Sequence, residues 1–422
     1  MKASDANYAS EMPSDSSGCG PILSLHRREL ISLRQQIFEH IRACGQTARA
    51  DIARALNISP GSVTSQTAEL IAAGYLHEID APQRSESGRG RPSVSLALVA
   101  DARHVIGIKI ADERHSAVLT DFAGNILANV TLATTTTRKN MEQLLTAIDL
   151  LIQPLLEQTG LSMTDIAAVG IGVSGLVDHQ TGIVAWSALM ASTQLPLKSA
   201  FEARFGIPVY IDNDSNLLAL AELWFGQGRA KSDFIVVTIE QGVGMGVVLN
   251  NQLYRGTGGM GMEFGHTKVQ LDGALCRCGN RGCLEAYLAD YAMAREASTA
   301  LGYYSHSAKT AQSLLEMLYE RAKEGNQSAL TIFQRAGRYL ALGLSNIIQL
   351  FDPELIILSG ERMRYDYLYA NEILDEMQAN VSNQWRRPTQ VEIHAWGDLV
   401  WARGASALAL DAVTNQLMNE AR

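Results

Sequence analysis

The chain has 422 residues, a net charge of −9, 47% hydrophobic and 19% charged residues. That length exceeds one compact core and predicts two or three domains. The charge excludes nonspecific nucleic-acid binding by the whole surface, and no apolar run reaches the roughly 20 residues that span a bilayer, so no membrane partner is expected.

The chain opens on "MKASDANYASEMPSDSSGCGP", which is polar and lacks the apolar core of a signal peptide. Residues 1–24 read as a disordered tail on a cytoplasmic protein. Thiols stay reduced in that compartment, and clustered cysteines there bind metal more often than they pair. The charge is uneven. Residues 1–100 sum to zero and the remainder carries all of the −9, so DNA contact is expected from the N-terminal part alone.

In "LISLRQQIFEHI" a helical stripe runs through Leu30, Leu33, Ile37 and Ile41. A turn at Gly45 leads to a short helix that buries Ile52, Ala53 and Leu56. Ser59 is a good N-cap and Pro60 suits the first position of the next helix. Val63, Thr67, Leu70 and Ile71 form its buried face, Gly74 ends it, and a short strand follows over 75–79. Three helices, a tight turn and a strand predict a winged helix-turn-helix, the alternative being a small helical interaction module. The helix from Pro60 would enter the major groove with Ser62, Ser65, Gln66 and Glu69 outward, and Gly61 and Thr64 near phosphates. "SESGRGRPS" then supplies a slim cationic strap. Placed after such a domain, Arg89 and Arg91 are expected to touch a minor groove rather than serve only as a solvated linker.

From residue 104 short β runs alternate with longer helices, which means α/β. "HVIGIKI", "HSAVLTD" and "ILANVTLAT" make a meander, and "FIVVTI", "GVGMGVVLNN" and "QLYRG" repeat it. Two meanders predict two related lobes with a ligand cleft between them. Between and after them, "IAAVGIGVSGLVD", "PVYIDND" and "PELIILSG" read as buried strands.

The run "EFGHTKVQLDGALCRCGNRGCLE" holds His266, Cys276, Cys278 and Cys283 in the spacing H-x9-C-x-C-x4-C. Four soft ligands suit one closed tetrahedral zinc ion with a structural role. A redox-active pair or three structural thiols are the alternatives. Cys19 and Cys44 look incidental.

With "GTGGMGMEFGHTKV", "CRCGNRGCLEAY", "GIGVSGLVD", "DNDSN" and "FDPELIILSG" read together, the chain resembles the ROK family of repressors, open reading frames and sugar kinases. The likeness covers about residues 30 to 412. Its winged helix-turn-helix places it with the repressor branch, the N-acetylglucosamine, Mlc-type glucose and xylose regulators. The resemblance implies an actin-like/hexokinase two-lobe fold and a homodimer or tetramer. It also implies sugar contacts at Gly175, Asn213, Asp214, Glu263, His266 and Glu285. In family kinases the Asp214 position is the general base. His266 would serve zinc through one nitrogen and sugar through the other, with the metal fixing its tautomer.

Two departures point away from catalysis. Family kinases hold ATP with an Asp-x-Gly-Gly-Thr turn, and here the matching residues are Lys109, Ile110, Ala111, Asp112 and Glu113. The glycines that let amides approach phosphate are gone and two acids replace them. The second loop is "EQGVGMG", with Glu240 and Gln241 in place of Gly-Thr. Ala188 and Leu189 stand near a Pro-Asn segment of the kinases, which leaves the identity of the sugar open.

The expectation is a sugar-responsive repressor of uptake or catabolism genes, not an enzyme, with operator DNA and a sugar as partners. A sugar kinase with an appended domain, or a repressor governed by a phosphotransferase-system protein, are the alternatives. The expected domains are 25–80 for DNA binding and 81–97 for the wing and linker. A first lobe follows over 98–213, with 401–422 packing back on it, and a second over 214–400 with the zinc knuckle.

Overall fold

The computed structural model describes residues 18–80, 94–134, 138–302, 310–360, 363, 366, 371–381 and 387–419. Ser24 caps α1 (Leu25–Leu30) and Ser32 caps α2 (Leu33–Cys44), each accepting a backbone N–H three residues on. This corrects the stripe expected from residue 30. A serine that takes up the next turn's N–H starts a new helix, so Leu30 ends α1 and is 60% exposed, while Ile37, Phe38 and Ile41 are fully buried. β1 (Gln46–Ala48) leads into α3 (Arg49–Leu56), which ends on Asn57 in the left-handed region. Ser59 caps α4 (Pro60–Ala72) by accepting from Ser62. β2 (Leu76–Asp80) and β3 (Val94–Leu98) form an antiparallel pair, and β3 also pairs with β1. Strand β3 thus belongs to the wing. Residues 18–24, expected within the tail, run instead along the larger part of the molecule. There Cys19 is buried and the Gly20 N–H donates to the Trp224 carbonyl at 2.9 Å.

The larger part repeats one topology. In the first lobe β4 (His104–Ile110), β5 (Arg114–Asp121) and β6 (Ile126–Ala133) form the meander. After α5 (Met141–Thr159), β7 (Ile166–Val173) adds parallel to β4. The hairpin β8 (Leu176–Asp178) and β9 (Ile183–Trp186) and helix α6 (Leu197–Phe205) precede β10 (Val209–Asn213), which adds parallel to β7. The sheet order is β10-β7-β4-β5-β6. Helix α7 (Asp214–Phe225) then enters the second lobe. There β11 (Phe234–Ile239), β12 (Val243–Leu249) and β13 (Gln252–Tyr254) form the second meander. Helices α8 (Glu285–Leu288), α9 (Asp290–Ala300), α10 (Ala311–Lys323) and α11 (Gln327–Phe351) lead to β14 (Leu355–Ser359). After α12 (Asn371–Ala379) comes β15 (Gln390–His394), and the order β13-β12-β11-β14-β15 mirrors the first lobe.

The final helix, α13 (Val400–Asn419), returns to pack on β4, β7 and α7. The crossing is close: a Cβ at Gly404 would stand 1.9 Å from the Leu217 carbonyl oxygen. Among the described residues there are three large apolar clusters, one in each lobe and one between them, and a small fourth around Cys276 and Cys283. The third joins Ile37, Phe38 and Val63 of the N-terminal domain to Leu220, Trp224 and Leu408 of the helices between the lobes. No helix among the described residues is long and apolar enough to cross a membrane.

Candidate functional site

Strand β10 and helix α7 meet at the expected sugar residues. Asn213 caps α7, its Oδ1 accepting from the Asn216 N–H at 2.8 Å. Asp214 is half-buried, and its Oδ2 accepts from Ser174 Oγ at 2.7 Å and Lys109 Nζ at 3.0 Å. Burial pushes the Asp214 carboxyl up, but the Lys109 charge and these hydrogen bonds outweigh it and hold it below its usual range. Lys109, a lone charge in the apolar strand "HVIGIKI", was not read from sequence as a partner of Asp214. Asp212 beside them is 1% exposed and accepts from Arg255 Nε at 2.7 Å. Gly175 lies on the same side with φ +143, and a Cβ there would sit 2.2 Å from the Trp186 carbonyl. Ala188 is exposed and Leu189 half-buried, so those side chains offer no amide.

Glu263 and Glu285 are the other two expected carboxylates, and both Asp214 and Glu285 lie close enough to act on Glu263. Partial burial, then the charges of Asp214 and Glu285, push the Glu263 carboxyl up to about 7. The Glu263 carboxyl therefore feels two neighbouring acids. Glu285 is buried at the start of α8, with its Oε1 3.4 Å from the Tyr291 hydroxyl.

His266, Cys276, Cys278 and Cys283 converge, each with a ligand atom within 4.8 Å of the others. Cys278 Sγ to Cys283 Sγ is 3.7 Å, and Cys276 Sγ to His266 Nδ1 is 3.7 Å. Bonds of about 2.3 Å in a tetrahedron require sulfur separations of roughly 3.8 Å, so the group fits a zinc-sized ion. Nε2 of His266 faces the other way, 3.8 Å from Glu263 Oε2. Each sulfur also has a side-chain donor. Lys268 Nζ reaches Cys283 at 3.0 Å, Asn280 Nδ2 reaches Cys278 at 3.5 Å, and the Tyr291 hydroxyl reaches Cys276 at 3.6 Å. The four residues expected from sequence spacing do converge, and the donors Lys268, Asn280 and Tyr291 were not read from it.

The turn after β4, expected from sequence to lack a phosphate cradle, makes a local hydrogen bond. The Ala111 N–H donates to His115 Nδ1 at 3.2 Å. Gly244 and Gly246 of the second loop lie within β12, where added Cβ atoms would meet Ser215 Oγ at 1.9 Å and the Ser215 carbonyl at 2.7 Å. Their bareness lets α7 approach the sheet.

On α4, Gly61, Thr64, Ser65 and Glu69 are exposed and Ser62 and Gln66 half-buried. The Thr64 hydroxyl donates to the Pro60 carbonyl, and Glu69 accepts from Ser65 and Gln66. Arg49 bridges this helix to the wing through Thr67 and Glu78. Arg89 and Arg91 lie outside the described residues.

Comparison with known proteins agrees with this fold. The profile described as "ROK family" matches residues 105–412, and "Winged helix-turn-helix DNA-binding" matches 32–77. The xylose repressor of Bacillus subtilis is 28% identical over 367 residues, covering 86% of this chain and 91% of that one. A ROK family transcriptional regulator described as a homolog of the E. coli MLC protein superposes with TM-score 0.74 at 23% identity, over 91% of this chain and 96% of its own. A ROK family glucokinase from Streptomyces griseus, solved with glucose and AMPPNP, superposes with TM-score 0.61 at 29% identity, over 72% and 98%.

Proposed function

The chain belongs to the ROK family, and from that premise we propose that it is a sugar-responsive transcriptional regulator. It represses genes of sugar uptake or catabolism until a sugar releases it from DNA. The observation that carries this reading is the state of Asp214. The residue that would deprotonate a sugar hydroxyl is instead tied to Lys109 and Ser174. A carboxylate held by an ammonium binds hydroxyls well but is a poor base.

The phosphate end supports the same reading. The amide of Ala111 is occupied by His115, and Asp112 and Glu113 repel a polyanion. Gly244 and Gly246 of the second loop have a packing role against α7. Asn213, Asp214, Glu263 and Glu285 would pair with vicinal hydroxyls, and such a site rejects ligands lacking them. His266 would donate to the sugar through Nε2 while Nδ1 faces the metal site. We assign that site to one zinc ion held by His266, Cys276, Cys278 and Cys283. Zinc bound there would cross-link the loop that carries Glu263 and His266, with no open position for chemistry.

Residues Gly61, Ser62, Thr64, Ser65 and Gln66 of α4, with Arg89 and Arg91 of the strap, would contact DNA. A cytoplasmic homodimer would present two α4 helices to successive major grooves. The test is fluorescence anisotropy of the chain on DNA from upstream of its own gene, at a stated salt concentration. Xylose, glucose and N-acetylglucosamine are then added in turn. Release by one of them supports the reading. Absence of DNA binding, together with sugar-dependent ATP consumption, would replace it with a kinase.

A further inference from the structure

Helix α7 begins at the sugar residues and ends beneath the DNA-binding domain. Its 12 residues span about 18 Å at the α-helical rise. At the first end stand Asn213 and Asp214. At the other, Trp224 is 2% exposed and the guanidinium of Arg42 from α2 lies 4.4 Å from its ring centroid. Arg42 is itself 2% exposed and donates to Thr414 Oγ1 of α13 at 2.8 Å. Arg229, just past α7, donates to the Ala43 carbonyl at the end of α2 at 2.7 Å.

The helix between these ends has no slack. Gly404 of α13 and Gly246 of β12 each admit the α7 backbone so closely that an added Cβ would collide with its carbonyl oxygens. Near the far end, the buried Glu222 accepts from Ser359 and Trp396. A shift at the first turn therefore moves the whole helix. At the joint with α2, however, there is room. A cavity of about 170 Å³ lies beside the pair, lined by Arg27, Glu39, Arg42, Trp224 and Asp411 among others. Helix α2 packs in turn on α4 through Phe38, Ile41, Val63 and Leu70.

We propose that Arg42 and Trp224 are the positioning pair that passes occupancy of the sugar pocket, through α7 as a strut, to the recognition helix. This rests on the regulator reading above and adds how its two sites communicate. Neither residue touches sugar or DNA, so the signature is loss of coupling with both affinities kept.

The experiment compares the full-length chain with Arg42→Lys, and with Thr414→Val as a milder second variant that removes the Arg42 acceptor. Each is titrated onto the upstream DNA with and without whichever of xylose, glucose or N-acetylglucosamine releases the unaltered chain. Sugar affinity is read separately by calorimetry and folding by thermal melts. The unaltered chain is expected to lose at least about fivefold in DNA affinity on sugar binding, the low end of ordinary allosteric coupling. The variants should hold both separate affinities within about threefold while the sugar effect falls below about twofold. Full release in both folded variants would overturn the proposal. So would a loss of DNA or sugar affinity with the coupling factor unchanged, which marks a merely structural role. If none of the three sugars releases the unaltered chain, the regulator reading fails first and this inference falls with it.

Discussion

Lys268 donates to the fully buried Cys283 sulfur at 3.0 Å. On the proposed zinc reading, three thiolates and a neutral histidine around Zn²⁺ would leave one net negative charge, which the ammonium would offset. Lys268→Met should therefore weaken zinc binding by about 10- to 100-fold in a chelator competition, the usual effect of losing such a partner. Unchanged affinity would remove Lys268 from the metal site. His115 offers a second residue-scale test. Burial, then the charges of Lys139 and Lys109, push its imidazole down to about 4. An unfolded histidine takes up its proton near pH 6.5. The contribution of neutral His115 is thus intact above that pH and is lost as pH falls from 6.5 toward 4, by up to about 3 kcal/mol. Thermal melts of His115→Asn should show a shallower fall in Tm over that window. An identical slope would contradict the assignment. Asp214 and the His266, Cys276, Cys278 and Cys283 set could be singled out from sequence because they lie within short motifs. Lys109 and Lys268 stayed hidden as partners because their roles depend on strands and turns that meet only in the fold.

At the scale of elements, local chemistry was readable and long-range packing was not. Ser59 and Pro60 announced the start of α4, and alternating runs announced both meanders. The break between α1 and α2 went unread because Ser32 interrupts a stripe that looks continuous. Helices α9 to α11 are not assigned from sequence, and the C-terminal helix α13 is expected to pack back on the first lobe, without its close crossing of α7. The reason for its glycine lies 187 residues away in sequence, at Leu217. Gly404→Ala should force α13 off α7 and lower Tm by several degrees, as expected for overpacking of about 1–3 kcal/mol. A melt equal to that of the unaltered chain would show that the crossing tolerates a methyl group.

For the molecule as a whole, pocket and DNA-binding domain form one linked system on the proposed reading. A shared apolar cluster joins α2 to α7 and α13, so the N-terminal domain is seated on the lobes rather than tethered. The two-lobe architecture followed from the repeated meander, but that seating did not, because Arg42 and Trp224 carry no motif. Linkage is reciprocal: if sugar weakens DNA binding by some factor, DNA must weaken sugar binding by the same factor. The most direct measurement is calorimetric titration of the releasing sugar into the free chain and into the chain saturated with its DNA. A Kd raised in the complex by the factor that sugar imposes on DNA affinity is expected. Equal sugar affinity in the two titrations would contradict it.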